Sequence, residues 1–176
     1  SKIKSINNSK NKYNDEFPCS NNIPIEAGSC STITNKCLPS FSIIGSMKSG
    51  TGVLMKLLNQ HPNAQSGKDI HTGKSEVSFF GDNLKSSCIL KDYSQHFPLN
   101  TTIYKYTVQG NMKKPSKLKS TKTNFLWFDK TPYYIRESSA LEQLTSNIKN
   151  IKLIVLFRKP STRAYSGFQH NCRHRR

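Results

Sequence analysis

Carboxylates are scarce in this chain. Its 176 residues carry 10 Asp and Glu against 27 Lys and Arg, a formal net charge of +17. An excess of that size predicts an anionic partner: nucleic acid, a membrane surface, a phosphorylated ligand or an acidic polysaccharide. Charge alone does not choose among them. Long apolar runs are missing too. The longest, from Ile151 to Phe157, is interrupted by Lys152 and falls far short of the roughly 20 residues that span a bilayer. No stretch has the charged, apolar and small-residue order of a signal peptide, and there is no initiator Met, so any membrane anchor is expected outside this stretch. The five cysteines (Cys19, Cys30, Cys37, Cys88 and Cys172) form no Cys-x-x-Cys pair, which argues against a structural zinc site. His170, Cys172 and His174 alternate as ligands on a strand would. Their segment reads as helix, where that spacing diverges, and no metal is expected.

What is present suffices for one modest core, at 34% hydrophobic and 10% aromatic residues, and so for one domain or part of one. Residues 1–39 hold few apolar residues without period and read as an extended or disordered stem. Three cysteines within that Ser/Asn-rich stretch resemble a disulfide-tied secretory stem, and the odd total leaves one thiol unpaired or its partner missing. The sequons Asn7-Asn8-Ser9 and Asn100-Thr101-Thr102 agree with a secretory route.

Order is expected from residue 40 to 176. Phe41-Ser42-Ile43-Ile44-Gly45 has the β-branched character of a buried parallel strand. A Gly/Ser loop follows, and then Val53, Leu54, Leu57 and Leu58 recur at helical spacing. That helix should end near His61-Pro62, because the residue before proline is pushed out of the α region. Phe125-Leu126-Trp127-Phe128 predicts a second strand, running into Asp129-Lys130-Thr131-Pro132. Ile151 to Phe157 predicts a third, running into Arg158-Lys159-Pro160. A helix is expected over 137–146, with Ala140, Leu141 and Leu144 on one face, and another over 161–172, with Pro160 at its first turn. Strands alternating with helices define an α/β fold with a parallel sheet, in which ligands sit outside the carboxyl ends of the strands. Residues 111–122 bring Lys113, Lys114, Lys117, Lys119 and Lys122 together without aromatics. This is a solvated loop or a polyanion contact, and the missing stacking platforms argue against single-stranded nucleic acid.

Gly45-Ser46-Met47-Lys48-Ser49-Gly50-Thr51-Gly52 lies between a strand and a helix, where phosphate loops sit. Backbone N–H groups and a helix N-terminus together make an anion site there. A nucleoside triphosphatase needs Lys directly after the second Gly, followed by Ser or Thr for magnesium. Here Lys48 precedes Gly50 and Thr51 takes the lysine's place, and no acid except Asp129 stands at a strand end. Such a loop suggests a nucleotide whose transferred group is not phosphoryl.

Residues 43–51, with Leu57-Leu58 and His61-Pro62 after them, resemble the 5′-phosphosulfate loop of Golgi carbohydrate sulfotransferases. Three more blocks follow in order. Glu76-Val77-Ser78-Phe79-Phe80 resembles the Glu-Val-His-Phe-Phe element of the heparan sulfate glucosaminyl sulfotransferases. Phe128-Asp129-Lys130-Thr131-Pro132-Tyr133-Tyr134 is similar to their Glu-Lys-Thr-Pro-x-Tyr block. Arg158 to Ser166 is similar to their 3′-phosphate block, with Arg and Ser eight positions apart. The resemblance covers about 40–172.

It implies transfer of a sulfuryl group from 3′-phosphoadenosine-5′-phosphosulfate, without a metal, to a hydroxyl or amine of an acidic, heparan sulfate-like or other glycosaminoglycan. The reaction is an in-line displacement in which positioning and charge stabilisation dominate. Lys48 and Lys130 would stabilise charge on the leaving 5′-phosphate. Lys48, Ser49, Gly50, Thr51 and Gly52 would form the 5′-phosphate cradle, and Arg158 and Ser166 would hold the 3′-phosphate. Glu76 would take the acceptor's proton, with few competing acids in so basic a chain. Ser78 departs from the His of the resemblance, and Asp129 from its Glu. The resemblance further implies a Golgi-luminal, single-pass type II protein whose anchor lies outside this sequence, and a domain that continues past Arg176. Two other classes remain open from the residues: a kinase-like phosphotransferase, and a non-catalytic polyanion-binding module.

Overall fold

The computed structural model describes residues 13–14, 16–19, 23–31, 33–98 and 125–174. Both sequons and the lysine-rich run 111–122 lie outside the described residues. Four two-residue strands come from the N-terminal stretch: β1 Tyr13–Asn14, β2 Ile25–Glu26, β3 Cys30–Ser31 and β4 Lys36–Cys37. The main elements are then β5 Phe41–Gly45, α1 Thr51–Leu58, β6 Ala64–Ser66, α2 Ile89–Ser94, β7 Leu126–Lys130, α3 Ser138–Asn147, β8 Ile148–Lys149, β9 Lys152–Val155 and α4 Pro160–His174. A short 3-10 turn, Tyr134–Arg136, links β7 to α3.

The central sheet has the order β6-β7-β5-β9, and every pairing in it is parallel. Its middle is apolar because β5 and β7 are its inner strands. Ile43 and Phe128 are fully buried, and the Phe41 and Phe128 rings stack at 5.0 Å between centroids. One face of the core is aromatic: Phe80, Tyr93, Phe97, Trp127 and Tyr134 pack with Ala140, Leu144 and Ile148. The parallel order sends the carboxyl ends of β5, β7 and β9 to one edge, which is the α/β arrangement the sequence predicts.

Two expectations meet a different outcome. The stretch 1–39, expected as an extended or disordered stem, contributes Phe17, Cys37 and Leu38 to the core among its described residues. It is tied down non-locally. β2 pairs in parallel with β8, β3 pairs with β4, and disulfides join Cys19 to Cys88 and Cys30 to Cys37. Cys172 is left as an exposed free thiol on α4. The second concerns α1, whose apolar residues do not share one buried face. Leu54 and Leu58 are half-buried, whereas Val53 and Leu57 are exposed. At 100° per residue the pair 53/57 occupies a neighbouring stripe, of which Val53 lines the cavity described next.

Candidate active site

β5 ends in Gly45, where no side chain fits, since a Cβ would lie 2.5 Å from Ile135 Cγ2. The following loop is held against the continuation of β9: the Leu156 amide donates to the Gly45 carbonyl (2.8 Å) and the Ser46 amide to the Leu156 carbonyl (3.0 Å). Gly50 then turns the chain into α1 with φ +96°, a conformation open to glycine and strained for L side chains. Its carbonyl accepts the Val53 and Leu54 amides at 2.9 and 3.0 Å. The first N–H groups of α1 have no intrahelical acceptor, and with the positive end of the helix dipole they favour an anion at this point. Lys48 sits at φ +62°, a left-handed conformation costing about 1–2 kcal/mol for a residue with a side chain. Its carbonyl accepts a hydrogen bond from Arg158 Nη1 at 3.3 Å. Arg163 Nη1 reaches Ser46 Oγ at 3.2 Å. Two guanidinium groups from the far side of the sheet edge thus brace the loop.

Lys130 ends β7 with its side chain almost wholly buried. Its Nζ donates to Glu76 Oε1 at 2.7 Å, and Glu76 keeps 48% of its side chain open to solvent. A buried ammonium left unpaired is costly, so this partner is part of what allows Lys130 to sit there. The exposed half of Glu76 leaves a carboxylate oxygen reachable from outside.

These residues line one open cavity of about 530 Å³: Lys48, Gly50, Thr51 and Gly52 from the loop, Glu76, Lys130, and Arg158 and Ser166 from the third strand end and α4. Of the expected residues, Ser49 is the exception. It does not line the cavity, and its hydroxyl is buried without a hydrogen-bond partner. The cavity wall also includes Met47, Val53, Lys56, Pro132, Tyr133 and His170, which sequence reasoning did not single out for a site role. Lys56 had a signal, being one turn beyond Gly52 on a helix that starts at the loop. Among the described residues no His, Cys, Asp and Glu cluster could hold a metal ion. His170 and Cys172 lie on α4, where two-residue spacing turns them apart.

Beneath the Glu76–Lys130 pair lies a fully buried carboxylate. Asp129 accepts hydrogen bonds from Tyr93 Oη at 2.7 Å and Thr131 Oγ1 at 2.8 Å. Burial pushes its pKa up to about 6, against the pull of those hydroxyls and of Lys130. Burial, and next the Asp129 charge, hold the Tyr93 and Tyr134 hydroxyls well above the usual phenol range.

A glycine-containing loop between a parallel strand and a helix, opening on a basic cavity at the sheet's carboxyl edge, gives the architecture of a phosphate-loop α/β protein. The comparisons narrow the class. The sulfotransferase domain family matches residues 38–176, and the chain belongs to that family. It is 29% identical over 143 residues to a bifunctional heparan sulfate N-deacetylase/N-sulfotransferase 1 of Caenorhabditis elegans, covering 80% of this chain and 14% of that protein. It is 32% identical over 132 residues to the membrane-associated sulfotransferase kil1 of Dictyostelium discoideum, covering 75% of this chain and 23% of that protein. A mouse bifunctional heparan sulfate N-deacetylase/N-sulfotransferase 3 is 30% identical over 137 residues, covering 78% and 13%. The chain therefore spans less than a quarter of the length of these relatives.

Proposed function

We propose that this chain transfers a sulfuryl group from 3′-phosphoadenosine-5′-phosphosulfate to a hydroxyl or amine of a glycosaminoglycan, heparan sulfate-like by its nearest motif blocks. The observation that carries the reading is the convergence of Glu76, Lys48, Lys130, Thr51, Arg158 and Ser166 on one cavity. In that cavity Glu76 takes the proton from the acceptor oxygen or nitrogen as the new bond to sulfur forms. The bond from sulfur to the bridging phosphate oxygen breaks, and 3′,5′-phosphoadenosine leaves with the charge. Lys48 and Lys130 meet that charge as it develops, which lowers the barrier more than it tightens ground-state binding. Thr51 and the amides at the start of α1 hold the 5′-phosphate, while Arg158 and Ser166 read the 3′-phosphate.

The Glu76–Lys130 contact suits this division of work. Before the acceptor arrives, the ammonium holds the carboxylate in place at the cavity wall. An ammonium has three donors, so Lys130 can serve the leaving phosphate without giving up Glu76. The acceptor class is supported in kind by relatives whose names specify heparan sulfate and by the +17 charge. Among the described residues no helix is long and apolar enough to cross a membrane. We place the protein in the Golgi lumen with its anchor elsewhere in the polypeptide, a reading supported by the two disulfides and by a membrane-associated relative. The testing experiment is transfer of labelled sulfate from the donor to a panel of glycosaminoglycans with magnesium chelated. Paired calorimetry with 3′,5′-phosphoadenosine and 5′-AMP completes it. Transfer that survives chelation, with tighter binding of the bisphosphate, is expected; glycan binding without any transfer would leave only a polyanion-binding module.

A further inference from the structure

The segment carrying Glu76 has little regular structure of its own; residues 75–80 belong to no helix or strand. Its backbone is nevertheless held at three consecutive amides, all by side chains from the end of β7 and the turn after it. The Ser78 amide donates to Thr131 Oγ1 at 3.1 Å. The Phe79 and Phe80 amides both donate to Tyr134 Oη, at 3.0 and 3.3 Å. Each hydroxyl has one proton and two lone pairs, so it accepts from those amides only if its own proton points elsewhere. The Thr131 proton finds a buried acceptor, since Thr131 Oγ1 donates to Asp129 Oδ1 at 2.8 Å. An ionised carboxylate only accepts, and this turns a lone pair of Thr131 Oγ1 toward the Ser78 amide. Tyr93 fills the other carboxyl oxygen from α2, at 2.7 Å. Tyr93, Asp129, Thr131 and Tyr134 are all buried, beneath an exposed Ser78. Ser78 lies at φ +50°, a backbone conformation uncommon outside glycine, which these bonds maintain.

We propose that Asp129 is a positioning residue for the proton-accepting Glu76: through the Thr131 hydroxyl it fixes the Ser78 backbone, beside the Phe79 and Phe80 amides that Tyr134 holds, and so keeps the Glu76 carboxylate over Lys130. Asp129 touches neither the cavity nor Glu76, and Lys130, its sequence neighbour, is the other end of the same device. The strand that presents the lysine thereby also presents the template for the loop that presents the glutamate. The link to turnover rests on the transferase reading above, whereas the link to loop geometry does not.

The test uses four variants of the full chain: Asp129→Asn, Thr131→Val, Thr131→Ser and Tyr134→Phe. Three quantities are read from each: turnover, affinity for 3′,5′-phosphoadenosine, and hydrogen exchange of the 78–80 amides relative to core amides of β5. Thr131→Val keeps the volume and removes the hydroxyl. It should speed Ser78 exchange and lower kcat by about tenfold each, the loss expected for one buried hydrogen bond, with nucleotide affinity unchanged. Thr131→Ser restores the hydroxyl and should return both to near wild type. Asp129→Asn should speed exchange at Ser78, since an amide group donates as well as accepts and no longer fixes the Thr131 proton. Tyr134→Phe should do so at Phe79 and Phe80. The proposal is overturned if Thr131→Ser behaves like Thr131→Val, if exchange at 78–80 rises only together with β5, or if Asp129→Asn retains full turnover in an active enzyme. A wild-type chain that transfers nothing but shows the expected exchange pattern would sink the transferase reading and leave the positioning of the loop supported.

Discussion

Lys130 is a residue where folding and chemistry make opposite demands. The residue is 4% exposed, and one half-exposed carboxylate at 2.7 Å offsets the cost of burying its ammonium. Replacing Glu76 by Gln keeps an oxygen for Lys130 and keeps the volume but removes the base. Turnover should therefore fall by about 10²–10⁴-fold while nucleotide affinity stays near wild type. Lys48→Ala should differ by lowering turnover and nucleotide affinity together, because that lysine meets the donor before and during transfer. Single-turnover transfer and calorimetry on the same preparations separate the two patterns; full turnover in Glu76→Gln would remove the base assignment. Arg158 has the donor geometry for a phosphate fork, and a charge-assisted pair of bonds is worth roughly 1.5–3 kcal/mol. Arg158→Ala should weaken 3′,5′-phosphoadenosine about ten- to a hundredfold and 5′-AMP hardly at all, and equal losses would show that it does not read the 3′-phosphate. Asp129 adds a pH signature. Its folded pKa of about 6 lies above the ordinary 3.8, so the folded chain holds the proton more tightly than the unfolded one. Stability is then highest with Asp129 protonated; it falls as pH rises from about 4 to 6 and stays at its lower level above that, a difference of about 3 kcal/mol. Denaturant melts at stepped pH should show the wild type losing stability relative to Asp129→Asn across that window. A constant gap between the two would contradict it.

At the scale of elements, local pattern was readable and non-local closure was not. β5, β7, α3 and α4 stand where apolar runs and prolines put them, because each carries its own signal within a few residues. β6 carries none. Ala64-Gln65-Ser66 is fully buried yet two-thirds polar, and what makes it a strand is remote: its parallel ladder with β7, Ala64 against Leu126 and Ser66 against Phe128, while Asn59 side-chain bonds satisfy the buried Ser66. α2, at six residues, is too short for a helical period to be seen. The N-terminal stretch misled for the same reason. Phe17 and Leu38 are isolated apolar residues, and their burial depends on a β2–β8 ladder and on a cysteine 69 positions away. The cavity-lining positions of the loop, Arg158 and Ser166 were legible as motif positions, since a glycine loop and fixed Arg/Ser spacing are local features. The Asp129 network was not, because it joins Tyr93, Thr131, Tyr134 and 78–80 across as many as 55 residues. The Cys19–Cys88 crosslink offers a direct check at this scale. A loop of that length should contribute up to about 4 kcal/mol through the unfolded state. The double replacement Cys19→Ser/Cys88→Ser should show that loss in denaturant melts while Phe17 becomes accessible to solvent. An unchanged midpoint would mean that β2 and the core hold the stretch without it.

At the scale of the whole molecule, the sheet edge solves a charge problem. A net charge of +17 repels itself, and a bound polyanion would relieve it. The cavity gathers Lys48, Lys56, Lys130 and Arg158 against one carboxylate, an excess that a phosphosulfate nucleotide matches. The rest of the surplus is available to the acceptor. Lys113, Lys114, Lys117, Lys119 and Lys122 lie outside the described residues, so their part in this is argued from sequence. A run of ammonium groups releases counterions from an acidic glycan, and affinity then falls steeply with salt. Replacing all five by serine lowers the net charge by five and leaves the cavity lining untouched. The acceptor KM should rise and its dependence on salt should flatten, while the donor's binding and its own salt dependence stay as they were. The two ligands are thus separable in one titration series from low to high ionic strength. If the acceptor's salt slope is the same with and without the five lysines, that run is a solvated connection, and the attraction for the glycan must come from the cavity rim alone.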